Sequence, residues 1–138
     1  MSKTVLVTGI SGFIGLYCAK ELLEKGYKVI GTVRNSAKRE EVINTFKKND
    51  INLNNLTFEI LELTSNNGWD KVIQDCEYVM HVASPFRIAN PKNENEMISP
   101  AVEGTRRVLE ASQKAGIKRV VLTSSIVSMM SSIRRGQF

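Results

Sequence analysis

Three glycines, Gly9, Gly12 and Gly15, recur at spacings of three directly after the short β-branched run of residues 4–8. A glycine turn between a strand and a helix can hold an anion without any charged side chain. Unpaired backbone N–H groups at the positive helix end face the ligand, and the missing Cβ atoms let a phosphate come close. In a dinucleotide-binding unit the first glycine permits the sharp turn, the second admits the pyrophosphate, and the third lets the helix sit close on the strand. A glycine-rich turn can also serve packing alone. Context favours the anion site here: a strand precedes the turn, and a helical period follows it, with Ile14, Cys18 and Leu22 four apart. A P-loop is excluded because no Gly-Lys-Ser/Thr follows.

A second chemical position lies at the end of the next strand, residues 27–33 (YKVIGTV). A site built for NAD places Asp or Glu there to accept bonds from the ribose 2′-OH. The sequence instead runs Thr32-Val33-Arg34-Asn35-Ser36, with no carboxylate. A guanidinium suits a 2′-phosphate through charge-assisted hydrogen bonds, so the expected cofactor is NADP(H), with Arg34 on its phosphate. Arg34 read as an ordinary exposed residue is the alternative. Lys38 and Ser36 could add contacts, although Ser36 equally suits a helix N-cap. His81 is the single histidine and sits inside the apolar run 77–83 (EYVMHVA). No Asp, Cys or second His stands near it at ligand spacing, so it is read as structural and no metal site is expected.

These groups need a frame. The 138 residues suffice for one domain with a sizeable core. The net charge of +5 comes from scattered Lys and Arg, often beside Glu, which argues against a nucleic-acid surface. No apolar run reaches membrane-spanning length, and Cys18 and Cys76 lack CxxC spacing, so reduced thiols and a cytoplasmic location are expected. Further strands are expected at 56–61, 77–83 and 120–124. A charged helix over 37–48 should bury Val42, Ile43 and Phe46, and a short helix should surround Trp69, Val72 and Ile73. A polar loop with Pro91 precedes a long helix whose core face should run through Val102, Thr105, Val108, Leu109 and Ser112. Pro100 should interrupt or start it, and Gly116 should cap it. The expected fold is α/β: a doubly wound parallel sheet with strand order 3-2-1-4-5 and helices on both faces. Its order reverses between the first and fourth strands, where the glycine turn meets the turn at Ser84 and Pro85.

The string VTGISGFIG resembles the cofactor fingerprint of the extended short-chain dehydrogenase/reductases. HVASPF is similar to the His-Val-Ala-[Ser/Thr]-Pro turn of the dihydroflavonol reductase branch, and VEGTRRVLEAS matches the fourth-helix pattern of the family. The resemblance covers residues 3 to about 128 and implies a Rossmann domain over 1–128, a tail over 129–138, and an absent substrate lobe. It implies a pyrophosphate held at Gly9, Ser11, Gly12, Phe13, Ile14 and Gly15. Glu62 and Leu63 stand where the family has Asp-Leu against the adenine amino group; Glu62 is one methylene longer and reads equally as a solvent-facing acid. Val82, Ala83, Ser84 and Pro85 would lie beside the pyrophosphate and nicotinamide. Thr123, Ser124 and Ser125 match the Thr-Ser-Ser of strand five, with Ser125 as the catalytic serine on the substrate oxygen and Ser124 as the competing choice.

The family's proton donor is a tyrosine with a lysine four residues on. Tyr17, Tyr27 and Tyr78 are followed instead by Glu21, Gly31 and Val82. The resemblance therefore implies the cofactor-binding part of an NADPH-dependent reductase of a small ketone or aldehyde, inactive by itself, and a homodimer through the fourth helix. A nucleotide-sugar epimerase or dehydratase of the same superfamily and a non-catalytic NADP-binding module are the alternatives.

Overall fold

The computed structural model describes residues 2–84 and 92–130. The β-branched run forms β1 (Thr4–Thr8), and the glycine turn leads into α1 (Phe13–Glu24). Then follow β2 (Lys28–Val33), α2 (Ser36–Lys48), β3 (Leu56–Ile60), α3 (Trp69–Ile73), β4 (Tyr78–His81), α4 (Asn95–Lys114), β5 (Arg119–Leu122) and α5 (Ile126–Met130). The five strands form one parallel sheet in the expected order, β3-β2-β1-β4-β5.

Side chains alternate across a strand, so β1 feeds both faces of the sheet. Val5 and Val7 pack with Ala19, Val29, Val42 and Phe46, beneath α1 and α2. Leu6 points the other way, into a cluster with Trp69, Ile73, Val79, Val108 and Ala111, beneath α3 and α4. A central strand buried on both sides requires this near-continuous apolar composition. Cys76 lies in the second cluster's floor, its Sγ donating to the Val72 carbonyl at 3.4 Å, and burial together with Asp75 pushes its thiol up to about 11.

Several ends and faces differ from expectation. β4 stops at His81 because the Val82 amide leaves the ladder and donates to the Thr8 hydroxyl at 3.0 Å. β5 stops at Leu122, and Thr123 reaches back through its N–H and its hydroxyl to the His81 carbonyl, at 3.1 and 2.8 Å. Asn35, not Ser36, caps α2, its side-chain oxygen accepting the Lys38 amide at 2.9 Å. Pro100 lies inside α4. That helix buries Gly104, Val108, Ala111 and Ser112, whereas Val102 and Leu109 are 46% and 40% exposed. Its small residues allow the closest approach: a Cβ on Gly104 would stand 3.1 Å from Leu63 Cβ. The chain beyond β5 continues into α5.

At the start of α1, a Cβ on Gly15 would overlap the Gly9 carbonyl oxygen and lie 2.9 Å from its carbon. Gly15→Ala is expected to lower the unfolding free energy by about 1–3 kcal/mol through overpacking. In an unconstrained helix the same change would stabilise by roughly 1 kcal/mol. The sign of the shift in a urea midpoint therefore checks the contact.

Candidate nucleotide-binding cleft

The glycine turn is built on a positive backbone angle. Gly9 has φ of +67°, and a Cβ there would stand 2.9 Å from the Cα of Ala83, so the turns after β1 and β4 touch. The Gly9 amide donates to Thr32 Oγ1 at 3.2 Å, and the Gly12 amide to the Gly9 carbonyl at 3.1 Å. Gly12 is the N-cap of α1, with no side-chain cap and no acidic residue in the first turn. The Leu16 amide makes the first helical bond, to the Gly12 carbonyl at 2.9 Å. Helix geometry thus leaves the amides of Phe13, Ile14 and Gly15 without an intrahelical carbonyl. Their partial positive charge sits where no carboxylate of the same turn competes for it.

Thr8 ends β1 with a hydroxyl that serves three partners. It accepts the Val82 and Ala83 amides at 3.0 Å each and lies 2.8 Å from His81 Nδ1. A hydroxyl has two lone pairs and one proton, so with both lone pairs engaged the proton goes to the imidazole. His81 is therefore neutral, with Nδ1 as acceptor and its own proton on Nε2. It is 2% exposed, and burial lowers its pKa below the ordinary 6.5. Through the Nδ1 contact it orients the Thr8 hydroxyl that holds the turn at the cleft floor.

The opposite wall is the segment 61–64, beyond β3. The Trp69 indole N–H donates to the Glu62 carbonyl at 3.0 Å, and the Arg107 guanidinium donates to the Leu63 carbonyl and to Asn66 Oδ1. The Glu62 carboxylate accepts the Thr64 hydroxyl at 3.3 Å. Arg34 stands exposed at the tip of β2, with no ion pair among the described residues.

These walls enclose about 730 Å³ at the switch point of the sheet. Gly9, Ser11, Gly12, Phe13, Ile14 and Gly15 line one side, Arg34, Glu62 and Leu63 another, and Val82, Ala83 and Ser84 the floor. Lys38 does not line it; its ammonium pairs with Glu41 at 2.9 Å. Thr123, Ser124 and Ser125 lie past β5, outside the lining, and Pro85 lies outside the described residues. Ser125 Oγ accepts the Val127 amide at 3.2 Å at the start of α5. Sequence reading missed Thr32, Val33, Leu61, Thr64 and Trp69 in the lining, and Thr8 behind it. For Thr8 and Thr32 a signal existed: a hydroxyl residue at or near the carboxyl end of an apolar strand faces the ligand crevice in such sheets.

A doubly wound parallel sheet with this turn at its switch point defines a Rossmann-type nucleotide-binding domain. Residues 5–134 match the model of the NAD dependent epimerase/dehydratase family, and the chain belongs to that family. It is 39% identical to the dihydroflavonol 4-reductase of Solanum lycopersicum, over 90% of this chain and 33% of that protein. It superposes on Gre2 from Candida albicans in complex with NADPH with a TM-score of 0.75 and 38% identity, covering 89% of this chain and 37% of that one. The yeast methylglyoxal/isovaleraldehyde reductase Gre2, complexed with NADPH, gives a TM-score of 0.75 and 33% identity, over 88% and 37%. The chain spans 38–39% of the length of several curated fungal relatives it matches. Among the described residues no helix is long and apolar enough to cross a membrane.

The neutral His81 makes the fold sensitive to acid. Its folded pKa lies below 6.5, so the unfolded chain takes up the proton first, and stability falls as pH drops below 6.5 toward the folded value. His81→Asn, whose side-chain oxygen can accept the Thr8 proton, is expected to flatten that slope. Urea midpoints between pH 7.5 and about pH 5, set around the ordinary histidine pKa, measure it.

Proposed function

We propose that this chain is the cofactor-binding part of an NADPH-dependent reductase of small ketones or aldehydes. One observation carries the reading: the α1 amides and the Arg34 guanidinium open on the same cleft at the sheet's switch point, on residues that line it together. The cleft fits the group on its own chemistry. A pyrophosphate needs backbone donors and no Cβ at Gly9, Gly12 and Gly15, and a 2′-phosphate needs a cation at the β2 tip. A nucleotide-sugar epimerase or dehydratase using NAD would want a carboxylate there instead. The NADPH complexes of the Gre2 neighbours are consistent with this choice.

In this reading the amides of Phe13, Ile14 and Gly15 hold the pyrophosphate, and Arg34 holds the 2′-phosphate. Lys38, paired with Glu41 and outside the lining, is not assigned a phosphate contact. Glu62 and Leu63 meet the adenine, while Val82, Ala83 and Ser84 border the nicotinamide half. Thr123, Ser124 and Ser125 follow β5 toward the same end of the sheet. NADPH supplies a hydride when bound. Ser125 takes the role of donor to the substrate oxygen: accepting the Val127 amide leaves its own proton for a carbonyl, whose charge grows as it is reduced. None of Tyr17, Tyr27 and Tyr78 has a lysine four residues on, so none of them is assigned the final proton transfer. The exposed Ile98, Val102 and Leu109 on α4 support a homodimer through that helix.

Arg34→Ala is expected to weaken NADPH binding by about 1.5–3 kcal/mol, the range for a hydrogen bond to a charged group, and to leave NADH binding nearly unchanged. Fluorescence titration of both dinucleotides measures the difference. Equal losses, or a wild-type chain that prefers NADH, would remove the assignment.

A further inference from the structure

We propose that Arg107 is a positioning residue for the adenine edge of the cleft, acting on the ligand through the backbone of Leu63. The inference rests on the NADP(H) reading and goes past it, since Arg107 does not line the cleft. The wall at 61–64 runs past the end of β3: the Leu61 amide makes a last ladder bond to the Val33 carbonyl at 3.0 Å, the Ser65 amide closes a turn onto the Glu62 carbonyl at 3.2 Å, and no ladder bond holds the Leu63 carbonyl. Two side chains hold the carbonyls between those backbone bonds. Trp69 donates to the Glu62 carbonyl at 3.0 Å from α3, and Arg107 donates to the Leu63 carbonyl from α4. The same guanidinium also donates through Nε to Asn66 Oδ1, gripping the segment at two points three residues apart.

The rest of α4 is shaped to bring that group within reach. Gly104, one turn earlier, lets the helix lie against Leu63, where a Cβ would stand at 3.1 Å. The adjacent Arg106 has no such task; it pairs with Glu103 at 3.0 Å on the exposed face. Because the peptide bond is planar and trans, fixing the Leu63 carbonyl toward α4 fixes the Thr64 N–H on the opposite side. Fixing the Glu62 carbonyl toward Trp69 orients the Leu63 N–H in the same way. Two consecutive amides are thereby oriented as donors, beside the Glu62 carboxylate, which accepts the Thr64 hydroxyl at 3.3 Å. Along its N1–C6 edge adenine offers a ring-nitrogen acceptor and an amino donor, and hypoxanthine reverses both, with N1–H a donor and O6 an acceptor.

The test pairs a protein change with a ligand change. Arg107→Met keeps the length of the stem and removes the donors, Arg107→Lys keeps the charge but cannot span both acceptors, and Arg106→Met is the control. Binding of NADPH and of its hypoxanthine analogue is titrated for each, alongside thermal unfolding. Arg107→Met is expected to weaken NADPH about five- to tenfold, the effect of losing a charge-assisted bond, and the analogue no more than about twofold. Arg107→Lys should fall between, and Arg106→Met should match wild type. Equal losses for both ligands, or none, would overturn the proposal, as would a wild-type chain that binds the two alike. If Arg107→Met does not fold, the same comparison in Arg107→Lys decides. A wild-type chain that binds neither ligand would instead bring down the cofactor reading itself.

Discussion

The Thr8 hydroxyl is the smallest group on which the cleft depends. Two amides of the turn after β4 end on it, and its single proton is directed into a buried imidazole. That arrangement bends the chain out of the sheet at Val82 and presses Ala83 against Gly9. Without it the Val82 and Ala83 amides would lose their partner in a part-buried setting, where an unmade hydrogen bond costs about 1–3 kcal/mol each. The cleft floor, the end of β4 and the protonation state of His81 are thus one arrangement seen from three sides.

Much of this was readable from local pattern. The strand, turn and helix at residues 4–24 declare themselves through composition and glycine spacing, because the forces involved act within a few residues. The strand order follows from alternating elements and the handedness of their crossovers. What escaped was set by partners far away in sequence. His81 was read as structural, yet nothing near it points to Thr8, 73 residues earlier. The expected buried face of α4 ran through Val102, Thr105, Val108, Leu109 and Ser112; Val108 and Ser112 are buried, but the helix turns so that Gly104 and Ala111 join them and Val102 and Leu109 stay exposed. Asn35 and Ser36 are both good caps, and only the backbone geometry separates them.

The charge of the cleft is arranged rather than abundant. Many of the basic side chains are offset in ion pairs on the helices, such as Lys38 with Glu41 and Arg106 with Glu103, while the chain carries a net charge of +5. The cleft draws instead on backbone dipoles and one guanidinium. Backbone amides hold their direction without side-chain ordering, whereas Arg34, exposed and mobile about its long stem, is screened by salt. In the proposed reading, selection of a phosphate at the β2 tip is for that reason the more salt-sensitive half of recognition.

The touch of Gly9 on Ala83 has a reach of its own. The two positions are 74 residues apart in the chain, yet Gly9 cannot take a side chain without moving the backbone at Ala83. Drift at Gly9 is therefore conditional on drift at the other turn. Across a set of related sequences, a bulkier residue there should travel with a displaced turn at its counterpart, so that the pair records the shape of the cleft floor as a single inherited character.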